Sequence, residues 1–229
     1  MQAVILAAGE GRRMQPLTND TPKPLIEVAG KTLLEHKLDR LPDTITEIVL
    51  VVGYQEEKVR ARTGNSYRDI PITYVEQREL NGTAGALWAA RECLDDRFLV
   101  MMGDDLYCRS DVEACVRYPW ALLVQAVRPD EAAARTAEII TDGGALVDIV
   151  ESSTKDTYVT NTGLYVLQKE IFSHQPAPKA PGSSELGLPQ TLVTMLQNIS
   201  VRIVTAHCWL PITTPRDLER AEIWVRENP

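Results

Sequence analysis

Residues 6–14 read Leu-Ala-Ala-Gly-Glu-Gly-Arg-Arg-Met, and Pro16-Leu17-Thr18 and Pro22-Lys23-Pro24-Leu25 follow at once. The stretch predicts an apolar strand that runs into a glycine-bent loop carrying two arginines and a lysine. Glycine lets a backbone approach a ligand closely, and successive main-chain N–H groups form a concave anion site. Together with the three cations, this loop predicts a binding site for a nucleoside triphosphate.

Two other interpretations of the loop are weaker. An isolated Gly-x-Gly is more often an ordinary turn with solvated arginines, and a dinucleotide fingerprint is the second alternative. That fingerprint requires a third small residue and a helix that starts at the loop, whereas Met14 stands at the third position here. Prolines at 16, 22 and 24 also keep the following segment out of a helix. The pattern therefore disfavours a dehydrogenase.

Residues 6–36, LAAGEGRRMQPLTNDTPKPLIEVAGKTLLEH, resemble the signature of the sugar-phosphate nucleotidyltransferases, which join a nucleoside triphosphate to a sugar 1-phosphate and release pyrophosphate. The resemblance implies a stand-alone catalytic domain of the uridylyl- or thymidylyltransferase type that uses Mg²⁺. The implied fold is α/β, a three-layer, doubly wound, mainly parallel but mixed sheet of Rossmann-like nucleotide-diphospho-sugar transferase architecture. The implied substrates are UTP or dTTP and a sugar 1-phosphate.

The pattern of the first half agrees with such a fold, because apolar runs of strand length alternate with helical stretches. Strands are predicted at residues 3–8, 47–52, 72–75 and 98–102, and helices at 32–41, 56–62 and 83–94. This alternation predicts a mainly parallel sheet with helices on both faces. Ligands of such sheets bind beyond the carboxyl ends of the strands, which is where the glycine loop lies.

The second half is richer in β-like segments, at residues 121–127, 137–141, 146–151 and 157–167, with Asp142-Gly143-Gly144 as a hairpin turn. Residues 175–184 read as an irregular connector, and helices are predicted at 189–197 and 217–227. This half is expected to form a mixed-sheet lobe over the nucleotide site. We expect one domain over 1–229, with 1–105 as the nucleotide-binding half and 106–229 as the sugar-phosphate-binding half.

Composition limits the choice of partners and compartment. The 229 residues hold 32 acidic and 24 basic side chains, so the surface as a whole should repel nucleic acid and anionic membrane. No apolar run reaches membrane-spanning length, and the four cysteines form no Cys-x-x-Cys pair that suggests zinc. We expect reduced, buried or idle thiols and a cytoplasmic protein, as a monomer or a homo-oligomer.

Met102-Gly103-Asp104-Asp105 ends an apolar run. A carboxylate at that point could hold Mg²⁺ against a triphosphate and so neutralise charge as pyrophosphate leaves. A strand-end acid that caps the next helix is the alternative. Within the resemblance, Asp104 matches the metal aspartate while Arg13 and Lys23 steady the phosphates, so these three form the expected catalytic set.

Residues 75–84, Val-Glu-Gln-Arg-Glu-Leu-Asn-Gly-Thr-Ala, resemble the base-reading loop of uridylyl- and thymidylyltransferases. A glutamine amide offers a donor and an acceptor together, which suits a pyrimidine imide edge. A polar loop with Asn81 or Thr83 as a helix N-cap is the alternative. The resemblance implies nucleotide contacts at Leu6, Ala8, Gly9, Gly11, Arg13, Lys23, Gln77, Gly82 and Thr83.

The acceptor sugar is expected to contact Glu151, Asn161 and Gly163, again by resemblance; a strand-end acid and a turn asparagine are nearly equal alternatives. The family usually carries an aspartate in a Trp-x-Asp-x-Gly-Thr-Pro segment, where this chain has Pro211, and often a lysine where it has Ser152. These departures leave two alternatives open: a catalytically weakened regulatory homologue that binds nucleotide or nucleotide-sugar, and a cytidylyltransferase acting on phosphocholine or a similar acceptor.

Overall fold

The structure, a computed structural model, describes residues 1–127, 137–151 and 158–228. The strands are β1 Gln2–Leu6, β2 Glu27–Val28, β3 Lys31–Thr32, β4 Glu47–Val52, β5 Ser66–Tyr67, β6 Ile70–Glu76, β7 Arg97–Met102, β8 Asp105–Tyr107, β9 Ala121–Val127, β10 Ala137–Asp142, β11 Ala145–Glu151, β12 Tyr158–Gln168, β13 Arg202–Thr205 and β14 Trp209–Pro211. The α-helices are α1 Leu33–Asp39, α2 Glu56–Thr63, α3 Thr83–Ala89, α4 Arg109–Cys115, α5 Leu188–Val193 and α6 Asp217–Glu227. Short 3-10 helices span Arg12–Met14, Lys23–Leu25, Arg91–Cys93 and Lys169–Ser173.

One large sheet crosses both halves of the chain. Its strand order is β10-β11-β13-β9-β12-β7-β1-β4-β6-β5. Strands β6, β4, β1 and β7 at its centre are parallel, whereas β12 runs antiparallel between β7 and β9. The second-half strands therefore continue the sheet sideways from β7 and do not form a separate lobe above it. The α/β mixed-sheet prediction is confirmed.

Strand β1 shows why helices cover both faces. All five of its residues are buried, and successive side chains of a strand point to opposite faces. Val4 and Leu6 pack into one apolar cluster with α3 and α5, whereas Ala3 and Ile5 pack into a second cluster with α1, α2 and α4. A strand that is buried on both faces has an unbroken apolar sequence, and this run predicts the strand.

A third apolar cluster, called the loop cluster below, joins the glycine loop to the last elements of the chain. Its members come from the glycine loop, β8, β14 and α6, among other segments, and are Met14, Ile26, Val28, Leu33, Leu106, Leu210, Ile212 and Ala221. Met14 directly follows Arg13, so the packing of this cluster fixes the far side of the loop that carries the cations.

Several predicted elements have the bounds that the structure shows, and others are shorter. Strands β4 and β9 and helix α6 match residue for residue. Helix α3 ends at Ala89, and a 3-10 turn replaces the rest of the predicted helix up to 94. The predicted hairpin joins β10 to β11, with positive φ at Gly143 and Gly144 as a tight hairpin turn requires.

The expectation of reduced thiols is wrong for two cysteines. Cys108 and Cys208 form a disulfide across a sequence separation of 100 residues, with their Cα atoms 5.6 Å apart. Spacing along the sequence gave no sign of this pair, because only the antiparallel pairing of β8 with β14 brings the two residues together. Cys93 is a free, exposed thiol, and Cys115 is a free, buried one.

Across the part of the chain that the structure describes, none of the helices has both the length and the apolar character needed to traverse a bilayer.

Candidate nucleotide-binding cleft

A cleft of about 610 Å³ opens beyond the carboxyl ends of β1 and β7. This volume is typical of a pocket that encloses a small ligand. Its lining includes every residue that the sequence predicts for nucleotide contact or catalysis: Leu6, Ala8, Gly9, Gly11, Arg13, Lys23, Gln77, Gly82, Thr83 and Asp104. Three separate stretches of sequence therefore meet at one place.

The ends of two neighbouring strands fix the floor of the cleft. The Gly103 N–H donates to the Leu6 carbonyl oxygen at 2.9 Å, and the Ala7 N–H donates to the Val51 carbonyl oxygen at 2.8 Å. The first bond continues the β1–β7 ladder, and the second continues the β1–β4 ladder. The glycine loop and Asp104 consequently leave the sheet side by side.

The glycine loop turns sharply at Gly11. Its φ of +64° lies in the left-handed region, and a Cβ there would come within 3.0 Å of Thr18 Cγ2. The Gly11 carbonyl oxygen accepts from the Met14 N–H and from Thr18 Oγ1, at 2.8 and 2.9 Å. The turn leaves the next two residues, both arginines, exposed at the edge of the cleft.

Two of the three predicted cations have partners within the cleft. Lys23 is buried, and its Nζ donates to Asp104 Oδ2 at 2.6 Å. Arg12 pairs with Glu10 of the same loop, and both residues line the cleft. Arg13 is exposed and contributes its charge to the field at Asp104. The three cations and Asp104 therefore line the same cleft.

The electrostatics of Asp104 favour a carboxylate. Burial alone would raise the pKa of Asp104, but the ammonium of Lys23 holds that pKa below its ordinary value, with further help from Lys37 and Arg13. The side chain is still 37% exposed on the cleft side. A charged oxygen donor is therefore available to a cation in the cleft.

Two further buried ionisable side chains, Lys37 and Asp105, lie near Asp104. Lys37 of α1 is almost completely buried, donates to the Asp105 carbonyl oxygen, and lies 4.9 Å from the centroid of the Tyr107 ring. Burial lowers the pKa of Lys37, whereas burial and the charge of Asp104 raise the pKa of Asp105. Sequence reasoning missed Lys37, because helix α1 also contains Glu35, His36 and Asp39 and a lysine among them gives no sign of being buried.

The loop between β6 and α3 is held against a distant segment. Gly82 has φ +101°, and a Cβ there would lie 2.3 Å from the Leu186 carbonyl oxygen. The Leu186 N–H donates to the Asn81 carbonyl oxygen at 2.6 Å, and the Ala84 N–H donates to the Leu186 carbonyl oxygen at 3.1 Å. Glu185, the residue directly after the predicted connector, lines the cleft.

The orientation of the Gln77 amide follows from its neighbours. Its Nε2 donates to Asn81 Oδ1 at 3.2 Å and to the Gly82 carbonyl oxygen at 3.1 Å. Because a backbone carbonyl only accepts, the NH₂ group must face it, and the carbonyl oxygen of Gln77 is left for a ligand. The Thr83 hydroxyl accepts from the Leu188 N–H at 3.0 Å, and the N-cap of α3 is Gly82, without a side-chain cap bond.

Two of the predicted acceptor-sugar residues, Asn161 and Gly163, are not lining residues of this cleft, although Gly163 packs against Met102, which is one. Asn161 Oδ1 accepts from the Gly163 N–H at 2.8 Å, and Asn161 Nδ2 donates to the buried Tyr165 hydroxyl. These bonds lie at a register shift in β12. Glu151 ends β11, but its side chain lies outside the described residues, as do Ser152 and Lys155.

Pro211 lies directly opposite Asp105 in the β14–β8 ladder. It offers no side-chain oxygen there, and Asp105 accepts from Trp209 Nε1 at 3.1 Å. Asp105 does not line the cleft, whereas Thr213, two residues beyond Pro211, does. The sequence reasoning did not assign sites to several other lining residues: Ala7, Glu10, Pro24, Leu80, Ala86, Met102, Gly103, Glu185 and Thr213.

Known proteins with similar sequences are nucleotidyl transferases. The family described as nucleotidyl transferase matches residues 2–225. The chain is 33% identical, over 100% of its own length and 98% of the relative's, to a UTP–glucose-1-phosphate uridylyltransferase from Haloferax volcanii. It also matches longer curated relatives, of which it spans only 43% to 56%.

Two solved structures share the fold. A Bacillus anthracis protein assigned as a glucose-1-phosphate thymidylyltransferase superposes with a TM-score of 0.85 at 24% identity, over 99% of this chain and 96% of that one. The inositol-1-phosphate CTP transferase from T. maritima superposes with a TM-score of 0.79 at 22% identity, over 98% and 95%. At such identities these likenesses show the architecture alone.

Proposed function

This chain belongs to the nucleotidyl transferase family, and from that premise we propose that it transfers a nucleotidyl group from UTP or dTTP to a sugar 1-phosphate, releasing pyrophosphate. Residues 1–105 would bind the nucleotide, and residues 106–229 would bind the sugar phosphate. The proposed location is the cytoplasm. The observation that carries the proposal is the single cleft in which the glycine loop, the Gln77 loop and Asp104 meet.

The proposed roles of the cations follow from their places around the cleft. Arg13 and Lys23 would contact the phosphates, and the main-chain N–H groups of the glycine loop would bind the same anion. The sugar phosphate oxygen would then attack the α-phosphorus in line. Catalysis of this kind needs positioning and charge stabilisation, and it needs no protein nucleophile.

The proposed base contact uses the free acceptor of Gln77. Uracil and thymine carry a donor at N3, whereas cytosine carries an acceptor there. The carbonyl oxygen of Gln77 could therefore accept from the first two bases but would face the cytosine acceptor without a proton between them. Its NH₂ group cannot turn to repair this contact without losing its bonds to Asn81 and Gly82.

Asp104 fits a magnesium ion by the chemistry of its donor. A carboxylate oxygen is a hard ligand, and Mg²⁺ is commonly held by one or two carboxylates together with substrate phosphates and waters. Pro211 and Asp105 contribute no further side-chain oxygen to the cleft lining that the structure describes. When bound there, Mg²⁺ would offset charge on the phosphates, and Lys23 would keep Asp104 ionised and oriented.

A pyrophosphate-release screen tests the proposal. The chain is mixed with Mg²⁺, with UTP, dTTP, CTP, ATP or GTP in turn, and with a panel of sugar 1-phosphates, inositol 1-phosphate and phosphocholine. We expect release with UTP or dTTP and at least one sugar 1-phosphate. The Asp104→Asn protein, purified in parallel, controls for contaminating enzymes.

Two outcomes would contradict the proposal. If no combination released pyrophosphate while the chain still bound nucleotide, a regulatory binding protein would be favoured. Preference for CTP with phosphocholine or inositol 1-phosphate would favour a cytidylyltransferase.

A further inference from the structure

The disulfide lies at the end of a small ladder. The Cys108 N–H donates to the Cys208 carbonyl oxygen at 3.2 Å, one step beyond the paired Tyr107 and Trp209. The Cα separation of 5.6 Å is typical of a disulfide. The bond therefore fastens β14 to β8 in the register that their hydrogen bonds already set.

The opposite end of this ladder reaches the cleft. Asp105 and Pro211 form its last pair, and Asp104 precedes Asp105 directly. Thr213, which lines the cleft, follows two residues after Pro211. The disulfide is three residue steps from that end, about 10 Å at the usual rise of a strand. A change at the disulfide thus acts on two strands whose chain neighbours, Asp104 and Thr213, line the cleft.

Packing extends this connection to the glycine loop. Strand β14 pairs with β8 at three positions. Leu210 of β14 and Ile212 pack in the loop cluster with Met14, which follows Arg13. The covalent bond adds a further restraint to this short ladder. Movement of β14 would therefore disturb the packing beneath the cationic loop.

The structure also holds the two cysteines together without the covalent bond. The buried Asp111 carboxylate accepts from the backbone N–H groups of His207 and Cys208, at 2.9 and 3.1 Å. The other carboxylate oxygen of Asp111, Oδ1, lies 2.7 Å from His207 Nδ1. Both cysteines are partly exposed, so a reagent can reach them. These bonds would keep the opened cysteines near enough to close again, while β14 would gain the freedom that the covalent bond denies it.

We propose that Cys108–Cys208 is a reversible dithiol–disulfide site, opened by a reductant of the thioredoxin class, and that the opened form binds nucleoside triphosphate less tightly. The effect on nucleotide rests on the proposed function. A reductant thiolate attacks one sulfur and breaks the S–S bond, forming a mixed disulfide, and the second reductant thiol then displaces the protein. The protein gains two electrons and two protons as thiols, and the reductant becomes a disulfide.

The proposed cytoplasmic location favours a regulatory over a purely structural disulfide. Cytosolic thiols are kept reduced, and the disulfides that do form there are usually transient and redox-sensing. The other cysteines are internal references, because Cys93 is exposed without a bonded partner and Cys115 is buried. Burial raises the pKa of the Cys115 thiol far above its usual range, so that it should not react in the folded protein.

The first measurement counts reactive thiols. The full chain is incubated with oxidised glutathione or with dithiothreitol, alkylated without denaturant, and analysed by mass spectrometry. We expect Cys93 alone to be labelled after oxidation, and Cys93, Cys108 and Cys208 to be labelled after reduction. Labelling of all three after oxidation would overturn the proposal. So would stoichiometric zinc on the reduced pair that protects it from alkylation, since Asp111 could complete a metal site there.

The second measurement is a calorimetric titration of both forms with Mg·UTP and Mg·dTTP. We expect the reduced form to bind about threefold to tenfold more weakly, which is the range of a modest coupling between sites. The Cys108→Ser/Cys208→Ser double variant should match the reduced form under both conditions. The matched control Cys93→Ser should respond as the unaltered chain does. Equal affinity in both forms would overturn the proposal.

The titration uses no acceptor, so the two proposals fail separately. If redox-dependent affinity is found but no acceptor supports turnover, the proposed transferase function fails and this inference stands. If turnover is found and the oxidised and reduced forms bind nucleotide equally well, the inference fails and the function stands. If neither form binds nucleotide, both fail.

Discussion

At the scale of single residues, Asp104 carries the most specific chemical expectation. It is a carboxylate held by Lys23 at 2.6 Å, and the cleft side of it remains open. We expect Asp104→Asn to lower turnover by about 100-fold or more, because it removes the charged oxygen donor proposed to hold Mg²⁺. Pyrophosphate release measures this loss.

The fold should survive that substitution, since asparagine has nearly the same volume as aspartate. A cooperative thermal transition followed by circular dichroism would verify it. The exposed Asp96, at the opposite end of β7, provides the matched control Asp96→Asn, which should keep full turnover. Unchanged turnover in Asp104→Asn would remove Asp104 from the metal site.

Gln77 carries the expectation for base choice. Gln77→Ala deletes the acceptor that we assign to the N3 donor of uracil or thymine. We expect the ratio of kcat/KM for UTP over CTP to fall by about tenfold, the value of one good hydrogen bond of about 1.4 kcal/mol. Steady-state rates with each nucleotide give the ratio.

A matched control exists in Gln168, which pairs with Arg97 at the end of the sheet away from the cleft. Gln168→Ala should leave the nucleotide preference as it was. If Gln77→Ala also left the preference among UTP, dTTP and CTP untouched, the base would have to be recognised elsewhere.

At the scale of elements, Asp39 joins the end of α1 to the β5–β6 hairpin. Its carboxylate accepts from Lys31 and from the Tyr67 hydroxyl, the latter at 2.7 Å, and also pairs with Arg68. Burial alone would raise the pKa of Asp39, but the hydrogen bonds from Lys31 and Tyr67 lower it below its ordinary value. The ionised form is therefore the one that stabilises the fold.

We expect Asp39→Asn to lower the free energy of unfolding by about 1–3 kcal/mol at pH 7. Because the folded-state pKa is depressed, this stabilisation is present above the unfolded-state pKa of about 3.9 and is lost as pH falls through the lower folded value. Urea unfolding at a series of pH values should show the two proteins converging in acid. The exposed Asp95→Asn serves as the control; a difference that stayed constant with pH would contradict the assignment.

Elements with a strong local pattern could be predicted, and elements that depend on distant partners could not. Strand β4 is an unbroken apolar run, and α6 has its full predicted length. Strands β8 and β14 have three residues each and exist because they pair across about half the chain. Three residues are too few for periodicity to reveal.

The same distinction explains the cleft. Its glycine-loop residues are contiguous, so a motif predicts them together. Glu185 and Thr213 reach the cleft only through packing, Glu185 beside the Gln77 loop and Thr213 at the end of β14. Asn161 and Gly163 have residue types suited to sugar hydroxyls, yet the register shift in β12 uses their polar groups within the sheet. Residue type alone could not reveal that bond.

At the scale of the whole molecule, a shared sheet joins the two halves, and one covalent bond, Cys108–Cys208, lies within the second half. Strand β12 pairs with β7, so the first and second halves cannot separate without breaking that ladder. The disulfide closes a loop that contains β9 to β13, since its cysteines are 100 residues apart. Such a bond limits the freedom of the unfolded chain more than that of the folded one.

Opening the disulfide should therefore lower global stability as well as nucleotide affinity. For a loop of this length we expect a loss of about 3–5 kcal/mol in the free energy of unfolding. Urea unfolding of the oxidised and reduced chains would show it as a lower midpoint for the reduced form, and Cys108→Ser/Cys208→Ser should unfold at the reduced midpoint under both conditions. Cys93→Ser should keep the oxidised midpoint. Coincident midpoints for oxidised and reduced protein would mean that hydrogen bonds and the loop cluster alone hold β14 in place.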